Sequence, residues 1–211
     1  MRCLILRRGI KYLERNPASN IPKMLYWTEK LARKREHKQA INSLIEMAKN
    51  PENAGYKLLL RTFLELKPNV RSKFYINYLL QEVILGSSHI QAMKEKHQCN
   101  IPYAVLMDPT SSCNLRCTGC WAEEYNKTDH LNLETLDKII NEGKDLGIYF
   151  YLYSGGEPLL RKKDIVYLAE KHPDCLFLAF TNGTLVDEGF CLEMERVGNI
   201  ILAISVEGFE K

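Results

Sequence analysis

The chain has 211 residues, of which 45% are hydrophobic and 26% are charged, a composition typical of an ordinary globular protein. This length is enough for one domain with a core, or for such a domain with a helical extension. No run approaches the roughly 18 apolar residues that a transmembrane helix needs, so we expect no bilayer-spanning segment. The start, MRCLILRRG, has only four apolar residues in a row, so we expect no secretory signal.

The net charge of +3 is unevenly distributed along the chain. Residues 1–98 carry 19 Lys and Arg against 8 Asp and Glu, and residues 99–211 carry 10 against 18. This division predicts two regions with different roles, a basic N-terminal region and an acidic remainder. The basic residues 33–38 (RKREHK) favour an anionic partner, such as a membrane surface or nucleic acid, although a solvated helix face is the alternative.

Residues 1–98 show apolar positions at helical spacing and therefore predict an all-helical region. The first helix is expected to start near Pro22, and the second to stop at Asn50-Pro51 because a residue before proline avoids the helical conformation. A third helix is predicted over residues 52–66. The fourth is predicted over residues 70–98, with a break around residues 86–88.

Residues 99–211 instead alternate short apolar runs with helical patterns. The runs are predicted as strands over residues 103–107, 149–153, 176–180 and 200–206. The intervening helices are a first one opened by Asn132 and capped by Gly147, and two more over residues 161–172 and 187–197. This order predicts a parallel β/α fold, and the lack of polar alternation predicts strands buried on both faces.

Polar or glycine-bearing segments follow the first three predicted strands and close the fourth. They are CNLRCTGC (residues 113–120), SGGEP (residues 154–158), TNGT (residues 181–184) and SVEG (residues 205–208). Because the carboxyl ends of parallel strands meet at one edge, these segments predict a single pocket.

The first of these segments places Cys113, Cys117 and Cys120 within eight positions. Such clustering indicates metal or redox chemistry in a reducing, cytoplasmic compartment rather than a disulfide framework. A structural zinc would need a fourth ligand, for which Cys99 and His130 are candidates. A four-iron cluster bound by three thiolates would leave one iron open to a non-protein ligand.

Cys113-x₃-Cys117-x₂-Cys120, combined with Gly155-Gly156-Glu157-Pro158 after the next strand, resembles the radical S-adenosylmethionine (SAM) superfamily over about residues 101–208. The resemblance implies a partial (β/α)₆ barrel with a [4Fe–4S] cluster on the three cysteines. It also implies that SAM binds the open iron and is cleaved reductively to a 5′-deoxyadenosyl radical, which abstracts hydrogen from an unknown substrate. An electron donor of the flavodoxin or ferredoxin type is implied as the partner.

The resemblance also assigns roles to residues on the other loops. Gly155, Gly156 and Glu157 are expected to bind the methionine ammonium of SAM. Ser205 and Glu207 match positions that contact the ribose or carboxylate of SAM, and Asn182 is a further candidate contact.

The sequence departs from the family pattern in two places. Gly119 stands before the third cysteine, where the family usually has an aromatic residue, and the chain stops at Lys211, just beyond the fourth of six strands. We therefore expect an incomplete barrel of about four strands: part of a larger enzyme, a truncated product, or a piece completed by a partner. A non-catalytic remnant that binds an iron–sulfur cluster or SAM, and a zinc-binding interaction module, are the alternatives.

Overall fold

The computed structural model describes residues 2–31, 35–75, 77, 87–122 and 128–206, and these form two compact units, residues 1–72 and 73–211. The charge pattern placed the boundary after residue 98, whereas the structure groups residues 73–98 with the sheet. The reason is local contact: Asn77 donates from Nδ2 to the carbonyls of Pro173 and Cys175, and Ile90 packs against the sheet core. In the described parts of the chain, no helix has the length and hydrophobicity needed to span a membrane.

The first unit is helical, as predicted. Its helices are α1 (Arg2–Arg15), α2 (Pro17–Leu31), α3 (Arg35–Lys49) and α4 (Ala54–Leu64), and α5 (Pro68–Phe74) begins in this unit and ends in the second. The end of α3 at Lys49 agrees with the stop predicted at Asn50-Pro51. Helix α4 begins after Asn53, whose side chain accepts hydrogen bonds from the amides of Gly55 and Tyr56.

Helix α2 begins five residues before the predicted start, so Pro22 lies inside it rather than near its N-terminus. Proline has no N–H, which leaves the carbonyl of Ala18, four residues earlier, without its helical donor. The buried Tyr56 hydroxyl donates to this carbonyl at 3.1 Å. This tertiary contact, which the apolar spacing of the helix does not reveal, supplies the donor that Pro22 lacks and so makes proline tolerable inside α2.

The second unit is an α/β layer. Its elements are α6 (Ser87–His97), β1 (Ala104–Met107), α7 (Leu133–Asp145), β2 (Phe150–Tyr153), a 3₁₀ turn (Pro158–Arg161), α8 (Lys162–Lys171), β3 (Leu176–Thr181), α9 (Glu188–Val197) and β4 (Ile200–Ile204). All neighbouring strands pair in parallel in the order β1-β2-β3-β4, which confirms the predicted β/α fold. All paired strands therefore end at the same edge.

The predicted helix caps of α7 are present. Asn132 accepts a hydrogen bond from the amide of Thr135 at 2.7 Å, and Gly147 follows the helix with φ of +91°. The helix predicted over residues 161–172 is α8, and the 3₁₀ turn precedes it; the Glu157 side chain caps this turn by accepting from the amide of Leu159.

One face of the sheet is buried and the other is partly open. Tyr151, Tyr153 and Phe177 stack on the buried face, and the Tyr151 hydroxyl donates to the carbonyl of Ile140 in α7. On the opposite face Leu106 and Phe180 are 57% and 42% exposed. The prediction of burial on both faces therefore holds only for the helix-covered face.

Asn199 closes the end of the sheet opposite the predicted pocket. It is fully buried, and its Nδ2 donates to the carbonyls of Ala169, His172 and Cys175 at 3.0 to 3.1 Å. These carbonyls belong to the end of α8 and the turn into β3, so one buried amide ties the helix end to the turn. The His172 carbonyl also accepts from the amide of Cys175, and the Cys175 carbonyl also accepts from Asn77.

Asn199→Ala is expected to lower the free energy of unfolding by about 2–3 kcal/mol, because it removes the buried donor from these carbonyls. Denaturant unfolding of the metal-free chain measures this change. Asn141→Ala is the control, since Asn141 is exposed on α7 and its loss should cost little. An Asn199→Ala variant as stable as the Asn141→Ala variant would contradict the assignment.

Candidate functional site

Three of the predicted loops meet at the carboxyl edge of the sheet. CNLRCTGC follows β1, SGGEP follows β2 and TNGT follows β3. Hydrogen bonds join SGGEP to the segment that leads into CNLRCTGC and to TNGT. Ser205 follows β4, is exposed, and donates its amide to the carbonyl of Thr181. Glu207, predicted to contact SAM, lies outside the described residues.

The three cysteines line a single cavity of about 280 Å³ at this edge. The other residues of its wall are Leu115, Arg116, Ala122 and Gly156. Cys113 is partly buried while Cys117 and Cys120 are exposed, and all three are free thiols. Within the described residues, no set of three His, Cys, Asp or Glu side chains is arranged to hold a metal ion. The cysteines thus share a cavity wall rather than converging on one point.

The candidate fourth ligands for zinc lie elsewhere. Cys99 lines a separate surface depression with Lys94, Glu95, Gln98 and Asn100. His130 has an exposed side chain whose Nδ1 lies 3.1 Å from the carbonyl of Thr128. The structure therefore places neither residue in the wall of the cysteine cavity.

The two ends of the cysteine loop are fastened together at its base. Thr110 and His130 form an antiparallel bridge, and Ser111 donates its amide and hydroxyl to the carbonyl of Asp129 at 2.9 Å. Arg161 reaches across this base, donating from one nitrogen to the carbonyls of Pro109 and Leu131. The two ends of the loop that carries the thiols are thus held next to each other by hydrogen bonds.

The backbone of the GGEP loop binds the segment that leads into Cys113. The amide of Gly156 donates to the carbonyl of Thr110 at 3.0 Å, and that of Glu157 donates to the carbonyl of Ser112 at 2.7 Å. Gly155 has φ of +100°, a conformation that favours glycine. A Cβ added at Gly156 would lie 2.1 Å from the oxygen of Ser112. Both glycines are therefore required for this close approach of two backbones.

Glu157 is only 1% exposed, and protein groups occupy both of its carboxylate oxygens. Oε1 accepts from the Thr181 hydroxyl at 2.7 Å and from the amide of Leu159, and Oε2 accepts from the amide of Asn182 at 2.9 Å. The Asn182 side chain in turn bonds to Asn114 and Thr184. The prediction that Glu157 and Asn182 contact SAM stays a prediction; the structure shows them joining the β2 and β3 loops.

Asp108 lies behind the glycine loop. A Cβ at Gly155 would come within 3.0 Å of its side chain, and within the described chain its Oδ1 is buried without a hydrogen-bond partner. Burial raises the pKa of the Asp108 carboxyl above its ordinary value, because the charged form loses hydration there.

Sequence reasoning missed four residues that shape this edge: Asn114, Arg161, Thr181 and Thr184. The sequence signal for these residues is their position inside or beside the CNLRCTGC, SGGEP and TNGT segments, which were themselves predicted to form the pocket. None belongs to a spacing pattern of its own.

Comparison with known proteins identifies the family. A family model described as the radical SAM superfamily matches residues 107–211, the part of the chain that contains the cysteine loop and the β2–β4 loops. The chain belongs to the radical SAM superfamily.

Two curated relatives are enzymes. Fe-coproporphyrin III synthase of Methanosarcina barkeri is 30% identical over 131 residues, which cover 60% of this chain and 31% of the relative. GTP 3′,8-cyclase of Alkaliphilus metalliredigens is 42% identical over 74 residues, covering 33% of this chain and 23% of the relative. The chain therefore spans about a quarter to a third of the length of these relatives.

A solved structure with similarity to the chain is SuiB of Streptococcus suis bound to S-adenosylmethionine. It is 19% identical, with a TM-score of 0.46, and the match covers 76% of this chain and 37% of that protein.

Proposed function

We propose that the chain carries the cluster- and SAM-binding part of a radical SAM enzyme. The observation that supports this most is the single cavity lined by Cys113, Cys117, Cys120 and Gly156, since it joins the three thiols to the glycine loop. Thiolates are the ligands that iron–sulfur clusters take, and three of them suit a four-iron cluster with one open iron.

The chemistry in this proposal belongs to the cofactors. When bound, a [4Fe–4S] cluster supplies one electron that cleaves SAM to methionine and a 5′-deoxyadenosyl radical, which takes a hydrogen atom from the substrate. The chain's own task is to hold the thiols and to orient SAM beside them.

The residues divide into three groups in this task. Cys113, Cys117 and Cys120 would hold the cluster, while Gly155 and Gly156 would let SAM approach the backbone. Ser205, and Glu207 beyond the described residues, are proposed contacts for the ribose or carboxylate of SAM. Glu157 and Asn182 support the site through the β3 loop contacts, and a direct contact with the SAM ammonium remains part of the proposal.

The partners of the chain are proposed from its chemistry. Exposure of Cys117 and Cys120 suits electron entry from a flavodoxin- or ferredoxin-type donor, and free thiols suit a reducing cytoplasm. The net positive charge of the region formed by residues 1–98 favours an anionic partner or membrane surface.

Anaerobic reconstitution with iron and sulfide, followed by electron paramagnetic resonance (EPR) of the reduced protein, tests the proposal. We expect a [4Fe–4S]⁺ signal that changes when SAM is added. A signal indifferent to SAM would instead support a non-catalytic remnant. Stoichiometric zinc with no cluster, in protein purified under the same conditions, would support the interaction module.

A further inference from the structure

Three side chains close a ring of hydrogen bonds between the cysteine loop and the loop after β3. Asn182 donates from Nδ2 to Oδ1 of Asn114 at 2.9 Å, and Asn114 donates from Nδ2 to the Thr184 hydroxyl at 2.8 Å. The Thr184 hydroxyl completes the ring by donating to Oδ1 of Asn182 at 2.7 Å. Each side chain both donates and accepts a hydrogen bond. If Oδ1 and Nδ2 were exchanged in Asn114 or in Asn182, two donors or two acceptors would face each other between the two amides.

The ring is fixed on the β3 side by the backbone. Gly183 lies between Asn182 and Thr184 and adopts φ of +75°, which turns the chain there. The amide of Gly183 donates to the Thr181 hydroxyl. The amide of Asn182 donates to the buried carboxylate of Glu157. Asn182 and Thr184, the ring members after β3, are therefore anchored to the core. Asn114, the third member, lies on the cysteine loop, which the ring holds.

The position of Asn114 gives the ring its importance. It follows Cys113 directly and precedes Cys117, so the ring contacts the loop between its first two thiols. The GGEP amides hold only the segment before Cys113, through the carbonyls of Thr110 and Ser112. Among the described residues, the ring thus extends the hold on the loop past the first thiol.

We propose that Asn114, Asn182 and Thr184 form a positioning ring that sets where the three thiols lie relative to the β3 loop. Its effect at the cluster rests on the proposed function, whereas its hold on the loop can be measured in the metal-free chain. None of the three side chains lines the cysteine cavity, so they act through the loop.

The decisive variants are at Thr184, which is exposed and lies outside the cysteine loop. Thr184→Val removes the hydroxyl with little change in shape, and Thr184→Ser keeps it. In the metal-free protein we expect amide hydrogen exchange in residues 113–120 to become about fivefold faster in Thr184→Val and in Asn114→Ala. Thr184→Ser should exchange at the wild-type rate, and the double variant Asn114→Ala/Thr184→Val should match the single variants.

The second measurement is made on reconstituted protein. Thr184→Val is expected to shift the EPR g-values and the midpoint potential of the cluster, and Thr184→Ser is expected to leave both unchanged. Exchange at the wild-type rate in Thr184→Val would overturn the ring. Faster exchange with unchanged EPR spectrum and potential would overturn the positioning role and leave only a structural brace.

The two hypotheses fail in different ways. A wild-type protein that takes up no cluster would refute the proposed function. The exchange rates of the metal-free variants would still show whether the ring holds the loop, since that measurement needs no iron.

Discussion

Replacement of Cys113, Cys117 or Cys120 by alanine is expected to reduce the iron bound after reconstitution from roughly four atoms per chain to less than one. In the proposed site each thiolate would supply one of the three protein bonds to the cluster, and losing one would leave a second iron without a protein ligand. Iron and acid-labile sulfide analysis, together with the visible absorption of the reconstituted protein, measures the loss.

Two other cysteines provide matched controls for this experiment. Cys191 is exposed on α9 and Cys99 lines a separate depression, so neither belongs to the cysteine cavity. Cys191→Ala and Cys99→Ala should retain the full iron content. Retention of a full cluster by any of the three cavity variants, or its loss in Cys99→Ala, would mean that the ligand set is assigned wrongly.

Gly156→Ala is expected to lower the free energy of unfolding of the metal-free chain by about 2–4 kcal/mol. The added Cβ would lie 2.1 Å from the oxygen of Ser112 and 2.5 Å from its carbonyl carbon, so one backbone must move. This movement would break the hydrogen bond from the Glu157 amide to Ser112, which measures 2.7 Å. Denaturant unfolding gives the change in stability.

Gly189→Ala is the matched control for this substitution. Gly189 lies in α9, and the nearest atom to an added Cβ there is Oδ1 of Asp187, at the ordinary distance of 3.5 Å. Alanine is the better helix former, so this variant should be unchanged or more stable by up to about 1 kcal/mol. Equal stabilities for Gly156→Ala and Gly189→Ala would show that the two backbones are not held as closely as described.

The strand pattern of the second unit could be predicted because short apolar runs alternate with capped helices. Asn132 and Gly147 mark the ends of α7, and the predicted strand positions agree with β1 to β4 within a few residues. Pairing in chain order follows from parallel strands joined by short helical connections. The exposure of Phe180 was not predictable, since burial depends on what covers a face and not on the run itself.

The three cysteines could be identified from their spacing, but their surroundings could not. Glu157 resembles a ligand-binding residue in its motif, and its use as a buried acceptor depends on Thr181 and Asn182, which come from another strand and loop. Asn114 lies between two cysteines at a position that no spacing rule defines. Its contacts with Asn182 and Thr184 exist only once β1 is paired with β2 and β2 with β3.

The hydrogen bonds between β1 and β2 do not stop where the strands end. The amide of Ser154 donates to the carbonyl of Met107, that of Gly156 to Thr110 and that of Glu157 to Ser112. The sheet is thus continued as far as Ser112, and the backbone entropy of ordering the segment that leads into Cys113 is lost when the chain folds. The side chains of Cys117 and Cys120 are exposed, so a bound metal would have to fix their rotamers at a cost in its own affinity.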